Sequence, residues 1–419
     1  MELFTVTQTN VYFIFLCTLF VDCLSFEDNN VETGWSINEN INTKVNSKTL
    51  PEDIIENGIY WSSEIESQLP KGFNSGDDNR WLTMVSEKPA IKVSEGCGRQ
   101  SNRLVMFEDG ILSCVRHRQN NDQIQGDIFS FHLARLLGIA NLPPAALSRL
   151  RKTSSSSASS SSSTTSSLPN SQRVGLNPVW DQVKPSLHLA QWSTDKSVVV
   201  TQWVPDLVPA FIPFSLRRSS EPTLYPVVDD LIPGTSLTGN NNNTNQSSIN
   251  LPYLADLAQW SDLIVFDYLT ANLDRIVNNM FNRQWNPDMM DSPAHNLVKV
   301  KSTGLLLFLD NESGLLHGYR LLRKYEPFHR KLLNGTCVFR RSTVEALEKL
   351  HRDGNLIQLL RHSLNKSGYN PKTHNLPFLP DRNANILKSR LATVIEQIDK
   401  CRSLFGSCEK SPCASRNDL

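Results

Sequence analysis

The chain has 419 residues and carries 42 Lys and Arg against 42 Asp and Glu, so its formal net charge is zero. Acids and bases are mixed along it, which argues against nucleic acid as the main partner. A chain of this length buries one large core or two medium ones.

The N-terminus reads as a secretory segment, with residues 1–25 as a signal peptide or signal anchor. Val11–Val21 is apolar and is broken by Asp22. That length suits a signal-peptide core and is short for a membrane span, which needs about twenty residues. Cys23 and Ser25 are small residues at plausible cleavage positions. Glu2 and the lack of Lys or Arg before the run disagree with a secretory segment; including Leu24 to Phe26 lengthens the run, so an uncleaved anchor stays open. Residues 26–51 are polar and Asn-rich and read as a flexible stem.

Order is expected to begin near Ile54, with Ile59-Tyr60-Trp61 and Trp81. Leu104–Phe107, the turn Glu108-Asp109-Gly110 and Ile111–Val115 predict a β-hairpin that ends near Arg116. A helix is expected over about Asp127 to Leu137, with Gly138 as its stop. In this reading Asp127 opens the helix. Residues 152–170 form a Ser-rich insertion with nothing apolar to bury, and are expected to loop out. Order returns near Trp180. Val198–Val204 is a buried strand by pattern, closed by Pro205-Asp206. A second polar insertion, Asn-rich, lies at 239–248. Leu254–Leu269 predicts a long buried helix, and Leu305–Leu309 a buried strand that stops on Asp310. Ser342 and Glu345 have capping-box spacing. Leu387, Leu391, Val394, Ile395 and Ile398 share one helical face. Residues 406–419 are a tail. The fold class expected is α+β: a β-rich first lobe over 52–204 and a mainly helical second lobe over 205–405.

Six cysteines lie beyond the leader, an even number that suits disulfides in an oxidising compartment. Cys97 and Cys114 flank the hairpin and are candidates to pair. Sequons at Asn242, Asn245, Asn334 and Asn365 agree with secretion. Asn311 also heads a formal sequon, but it overlaps the acidic strand end and is expected to be unmodified.

The candidate chemistry sits in two acidic sites. In the first, Asp274-Arg275 follows the long apolar helix and Asn279 stands five residues after the Asp. In the second, the apolar strand ends on Asp310-Asn311-Glu312. Phosphoryl transfer from ATP uses such parts: an Asp that takes the acceptor hydroxyl proton, an Asn five residues on for a metal, and an Asp after a strand for the metal on the phosphates. Further parts are needed. Gly96-Cys97-Gly98 is the candidate loop over the phosphates. No Lys ends the hairpin strand, and Arg116 is the candidate cation. Asp127 is the acid that holds that cation or the metal. Each has a plainer reading: surface ion pair, turn residue, strand-end charge, or helix-start acid. A serine-hydrolase elbow is absent, and His132 sits in an apolar helix as a core or rim residue. Paired carboxylates of a glycosidase would leave Asn279 and Arg116 unexplained.

Several long motifs resemble the Four-jointed family of secretory-pathway kinases: Asn57-Gly-Ile-Tyr-Trp-Ser62, Gly96-Cys-Gly-Arg99, Cys114-Val-Arg116, Gln123-Ile-Gln-Gly126, Leu133–Gly138, Trp260–Arg275, Phe308–Glu312 and His317-Gly-Tyr-Arg320. The chain is more distantly similar to the Golgi casein kinase. The resemblance implies an atypical two-lobed protein-kinase-like fold and ATP with Mn²⁺ or Mg²⁺ as cofactors. It implies Asp274 as catalytic acid of the loop, Asp310 as metal ligand, Asp127 in place of the usual Glu, and Arg116 in place of the usual Lys. Asn279 and Glu312 are further candidates at the metal. Glu312 replaces the Gly of the usual turn, so that turn is expected to be fixed. The distant relative implies a Cys337–Cys401 bridge. The function implied is a luminal Ser/Thr kinase acting in the Golgi, or after secretion, on extracellular cadherin repeats of the Fat and Dachsous type. The rival readings are a non-catalytic pseudokinase or signalling ligand, and a kinase for a glycan hydroxyl.

Overall fold

The structure is a computed structural model; it describes residues 53–151, 173–175, 180–193, 196–217, 222–227, 231 and 250–406. The leader, the stem, the two polar insertions, and the tail beyond Gly406 lie outside the described residues. So do the sequons at Asn242 and Asn245.

The first half is built on a six-stranded sheet. Its strands are β3 (Ala90–Ser94), β4 (Asn102–Phe107), β5 (Leu112–His117), β6 (Ala145–Arg151), β7 (Arg173–Gly175) and β8 (Ser197–Gln202), after a short hairpin of β1 (Ile55–Glu56) and β2 (Tyr60–Trp61). Their order in the sheet is β3-β4-β5-β8-β6-β7, antiparallel except for β6 with β7. The β4–β5 hairpin is the expected one, with Gly110 at φ 81° in its turn. Alternation along β8 divides the two faces. Val198 and Val200 pack with Trp81 and Val85 of helix α2 (Ser75–Glu87; α1 is Ser63–Ser67), while Val199 joins the main core. The Trp81 Nε1–H donates to the Val200 carbonyl at 2.9 Å.

Helix α3 spans Asn121–Leu136 and lies on the other face of the sheet. It starts six residues before Asp127, with the Asn120 side chain capping the Asp122 amide. Asp127 is therefore interior to the helix and does not open it. The polar run Asn120–Gly126 resembles a turn locally. Gly126 serves another purpose: a Cβ there would come within 2.6 Å of the Glu312 carbonyl oxygen. Gly138, at φ 71°, follows the helix end as expected.

The second half is helical around Leu251–Thr270, a helix buried nearly all round. A small antiparallel sheet joins the halves: β9 (Leu207–Phe211), β10 (Pro293–Val300) and β11 (Leu306–Phe308), in the order β11-β10-β9. The last helix, Asp381–Phe405, buries Leu387, Leu391, Val394, Ile398 and Cys401, and leaves Ile395 half-buried. The expected capping box does not form. The helix Arg341–Asp353 has Arg340 as N-cap with no side-chain cap bond, and Ser342 lies inside it. The Arg341 amide instead donates to Glu66 Oε1 of α1 at 3.2 Å, a cap supplied from far along the chain. Two disulfides, Cys97–Cys114 and Cys337–Cys401, close the pairs expected. No helix among the described residues is long and apolar enough to cross a membrane.

Candidate active site

The two halves of the chain meet at Arg116. It lies on β5 opposite Asn102 of β4 and Val199 of β8. Residues two apart on a strand share a face, and Cys114 and Arg116 both line a cavity of about 320 Å³. Gly98, Thr201, Asn296 and Asp310 line it too. Gly98 stands at φ 86° and Gly96 at φ 132°, conformations that favour glycine. The bridge from Cys97 to Cys114 ties this glycine loop onto β5. Gly98 borders the cavity, whereas Gly96 is outside its lining.

A recess of about 20 Å³, room for one water or ion, shares Arg116 and Asp310 with that cavity and adds Asp127 and Asn311. Arg116 Nη1 donates to Asp127 Oδ2 at 2.8 Å, and both side chains are nearly buried. The other oxygen, Asp127 Oδ1, accepts the Asn311 amide at 3.2 Å. One carboxylate thus joins the strand cation to the backbone just after Asp310. Burial works against the charge of Arg116, but Asp127, then Asp310 and Glu312, outweigh it and hold the guanidinium above its ordinary range.

Asp310 ends the apolar strand at φ 51°. Asp and Asn enter this left-handed region more readily than other side chains. Its Oδ1 is buried and accepts no hydrogen bond among the described residues, a costly state for a carboxylate oxygen unless a cation or donor arrives. Asp274 is half-buried on the loop after the long helix. Its amide donates to Asn272 Oδ1 at 3.0 Å, and Ser313 Oγ donates to the same oxygen at 2.9 Å. Burial and then the charge of Asp310 push the Asp274 carboxyl up, against the nearby Ser313 hydroxyl and the charges of Arg99 and Arg275. Asp274 borders neither cavity.

Glu312 and Asn279 are placed differently. The Glu312 carboxylate is held by Arg118, with Nε to Oε2 at 2.8 Å and Nη2 to Oε1 at 2.5 Å. Arg118 Nη1 also donates to Asn102 Oδ1 at 2.8 Å. Glu312 is thus occupied by a guanidinium in this state. The positive φ values of the turn fall on Asp310 and Leu315, so Glu at position 312 costs no backbone strain. Asn279 is fully buried in the helix Ile276–Asn282. Its Nδ2 donates to the Met289 carbonyl at 2.8 Å, its Oδ1 has no partner, and it is outside the lining of both cavities.

Two supports were not read from the sequence. Arg275 is fully buried. It pairs with Asp267 and gives Nη2 to the Leu309 carbonyl at 2.9 Å and to Asn311 Oδ1 at 2.7 Å. It therefore fixes the Asp274 loop against the strand that ends on Asp310. Gly126 lets α3 touch the Glu312–Gly314 turn directly. Asp-Arg adjacency was visible, but the partners lie 34 and 36 residues away.

Residues 76–404 match the family model described as Four-jointed box protein middle domain. The chain belongs to the Four-jointed box family. It is 40% identical over 381 residues to "Extracellular serine/threonine protein kinase four-jointed" of Drosophila melanogaster, covering 83% of this chain and 61% of that one. The match to "Four-jointed box protein 1" of Homo sapiens is 35% over 358 residues, covering 84% and 72%. The chain thus spans under two thirds of the length of the fly relative. Among solved structures, the Golgi casein kinase superposes with TM-score 0.46 at 15% identity, covering 80% of this chain and 77% of that one. Its form with Mn/ADP bound gives 0.44 at 16%, covering 78% and 77%.

Proposed function

We propose that this chain is an ATP-dependent protein Ser/Thr kinase of the secretory pathway, residing in the Golgi lumen or secreted. The β-rich lobe is 52–204 and the helical lobe 205–405. The observation that carries the reading is the bridge Arg116–Asp127–Asn311 beside the unpartnered Asp310 Oδ1, at a cavity roofed by the Gly98 loop. In it, the Arg116 fork meets phosphate oxygens and Asp127 fixes its position.

Mg²⁺ or Mn²⁺ on a nucleotide takes one or two carboxylates and fills its remaining positions with phosphate oxygens and water. The residues present fit that demand. Among the described residues no group of three His, Cys, Asp or Glu is arranged to hold a metal alone, and Asp310 Oδ1 is a free, buried anionic oxygen. Asp310 would hold the metal, with Asp127 beside it. Bound there, the ion would neutralise charge on the phosphates. Asp274, its carboxyl pushed up, would receive the acceptor hydroxyl proton. Glu312 and Asn279 become metal ligands only if Glu312 leaves Arg118 and Asn279 turns its oxygen inward.

The acceptors proposed are extracellular cadherin repeats of the Fat and Dachsous type. Two disulfides agree with an oxidising compartment. The test is transfer of labelled γ-phosphate from ATP by purified luminal protein, with Mn²⁺ or Mg²⁺, to a cadherin repeat and to a sugar chain. Label on a repeat hydroxyl is expected. Label on the sugar alone would make it a glycan kinase. No label with either, and no nucleotide binding, would make it a non-catalytic ligand.

A further inference from the structure

A second cavity, of about 380 Å³, opens on the helical half between the helix Leu322–Asn334 and the last helix. It shares no lining residue with the Arg116 cleft. Arg323, Arg330 and Arg390 line it with Glu326, and its other lining residues are uncharged. Three guanidinium groups face one carboxylate, leaving two positive charges in excess. Glu326 is already engaged: Arg330 Nε reaches its Oε1 at 2.9 Å, Arg390 Nη1 donates to its Oε2, and the Tyr268 hydroxyl donates at 3.4 Å.

Arg390 is the anchor. Its side chain is only 5% exposed. The guanidinium lies 3.9 Å from the centre of the Tyr268 ring, and Nε donates to the Tyr268 carbonyl. Its Nη2 is buried and donates to no acceptor among the described residues. A buried guanidinium N–H without an acceptor is costly, and this one sits in a cavity wall. Arg323 is exposed and makes no ion pair among the described residues. Ser389 adds a hydroxyl.

We propose that this cavity binds a dianionic phosphoryl group, as carried by a phosphorylated serine or threonine. Arg390 Nη2 supplies a fixed donor to one oxygen. Arg323 and Arg330 close over the others from the rim, in the fork geometry that arginine offers to phosphate. The two excess charges match a phosphate monoester, whereas a sulfate monoester carries one. The occupied volume is that of one group with its side chain, not of a long polyanion.

The test needs neither nucleotide nor acceptor, so it stands apart from the transfer reaction. The full secreted chain is titrated by calorimetry with a short neutral peptide bearing phosphoserine, with its unphosphorylated form, with inorganic phosphate and sulfate, and with a heparan sulfate oligosaccharide. Saturable binding of the phosphopeptide is expected, with none of the plain peptide and weaker binding of sulfate. The rim variant Arg323→Ala/Arg330→Ala keeps Arg390 in place and should weaken binding at least tenfold, with an unchanged melting temperature. Phosphate binding that survives this variant and disappears in Arg116→Met, shown still folded by its melting curve, belongs to the other cleft and overturns the proposal. So does preference for the sulfated oligosaccharide, or no saturable binding of the phosphopeptide at millimolar concentration.

Discussion

Arg116 and Asp127 form a buried pair at 2.8 Å, and the second oxygen of Asp127 holds the Asn311 amide at 3.2 Å. Sheet, helix and acidic strand end are therefore locked through a single carboxylate. The usual Lys and Glu of this position would span the same gap with a shorter cation and a longer acid. Removing one member of a buried pair costs about 3–5 kcal/mol, because a charge is left alone. Asp127→Ala should therefore lower the melting temperature by many degrees. Arg116→Met should raise the KM for ATP sharply. Arg116→Lys alone should retain part of the function, and Arg116→Lys/Asp127→Glu should retain more. A double variant no better than the worse single one would mean that the two residues act independently.

Asp310 separates activity from stability. It is half-buried, its Oδ1 is unpartnered, and its charge pushes up the carboxyls of Asp274 and Glu312. In the absence of metal it is a repelling neighbour. Asp310→Asn should abolish transfer, since one such electrostatic contact is worth about 3–4 kcal/mol, or roughly 10²–10³ in rate. The same change should leave melting in EDTA unaltered or raised. Loss of activity together with a fall in melting temperature would make Asp310 a structural residue.

His132 gives the pH dependence a sign. It is buried, with Nδ1 2.8 Å from Ser363 Oγ and Nε2 3.2 Å from Ser367 Oγ. Burial, and then Arg135, push the imidazole down to about 3. The folded chain thus keeps it neutral, while the unfolded chain protonates it below about 6.5. Its stabilising contribution is full above that value and is lost progressively as pH falls from there towards the folded value of about 3. The slope is about 1.4 kcal/mol per pH unit for one proton. Denaturant titrations between about pH 6 and pH 4.5 should approach this slope, and His132→Gln should remove one proton's share. Equal slopes in both proteins would place the acid sensitivity elsewhere.

The Cys97–Cys114 bridge holds the Gly98 loop at the cavity, while Cys337–Cys401 closes a separation of 64 residues. Loop-closure entropy assigns the longer bridge about 4 kcal/mol and the shorter about 3. Cys337→Ala/Cys401→Ala should therefore destabilise more. Cys97→Ala/Cys114→Ala should in addition raise the KM for ATP, because the loop loses its anchor. Melting curves with ATP titrations compare them. The reverse ranking in KM would remove the loop from the nucleotide site.

What the sequence made legible follows local pattern. The β4–β5 hairpin, the helix Leu251–Thr270 and the strand before Asp310 are set by alternation and apolar runs, and they stand where expected. The Cys97–Cys114 pair was within reach of the hairpin pattern, whereas Cys337–Cys401 came only from the resemblance. The misses are all tertiary. The helix expected from Asp127 starts at Asn121, and Gly126 lies inside it because the Glu312 carbonyl packs against it. Ser342 reads as a cap, but the helix starts one residue earlier, at Arg341, whose amide is taken by Glu66 from far along the chain. The partner of Glu312 was equally out of view: Arg118, 194 residues away, donates to its carboxylate. Propensity and spacing carry no record of such partners.

Asn311 gives the last test, since Asn311-Glu312-Ser313 is a formal sequon inside the proposed site. Its side chain is 4% exposed; Oδ1 accepts from Arg275 at 2.7 Å and Nδ2 donates to the Phe308 carbonyl at 3.2 Å. A glycan on Nδ2 would break that second bond and thrust a sugar among Arg275, Asp127 and Asp310. The folded chain then loses the buried partners that hold the strand end, so a modified molecule folds poorly or not at all. Asn334 and Asn365 are exposed on the helical half and meet no such cost. Mass spectrometry of secreted protein, deglycosylated in heavy-oxygen water, should find label at Asn334 and Asn365 and essentially none at Asn311. High occupancy at Asn311 in a preparation that transfers phosphate would show that this strand end is not the floor of the nucleotide cleft, and Asp310 would lose its role with it.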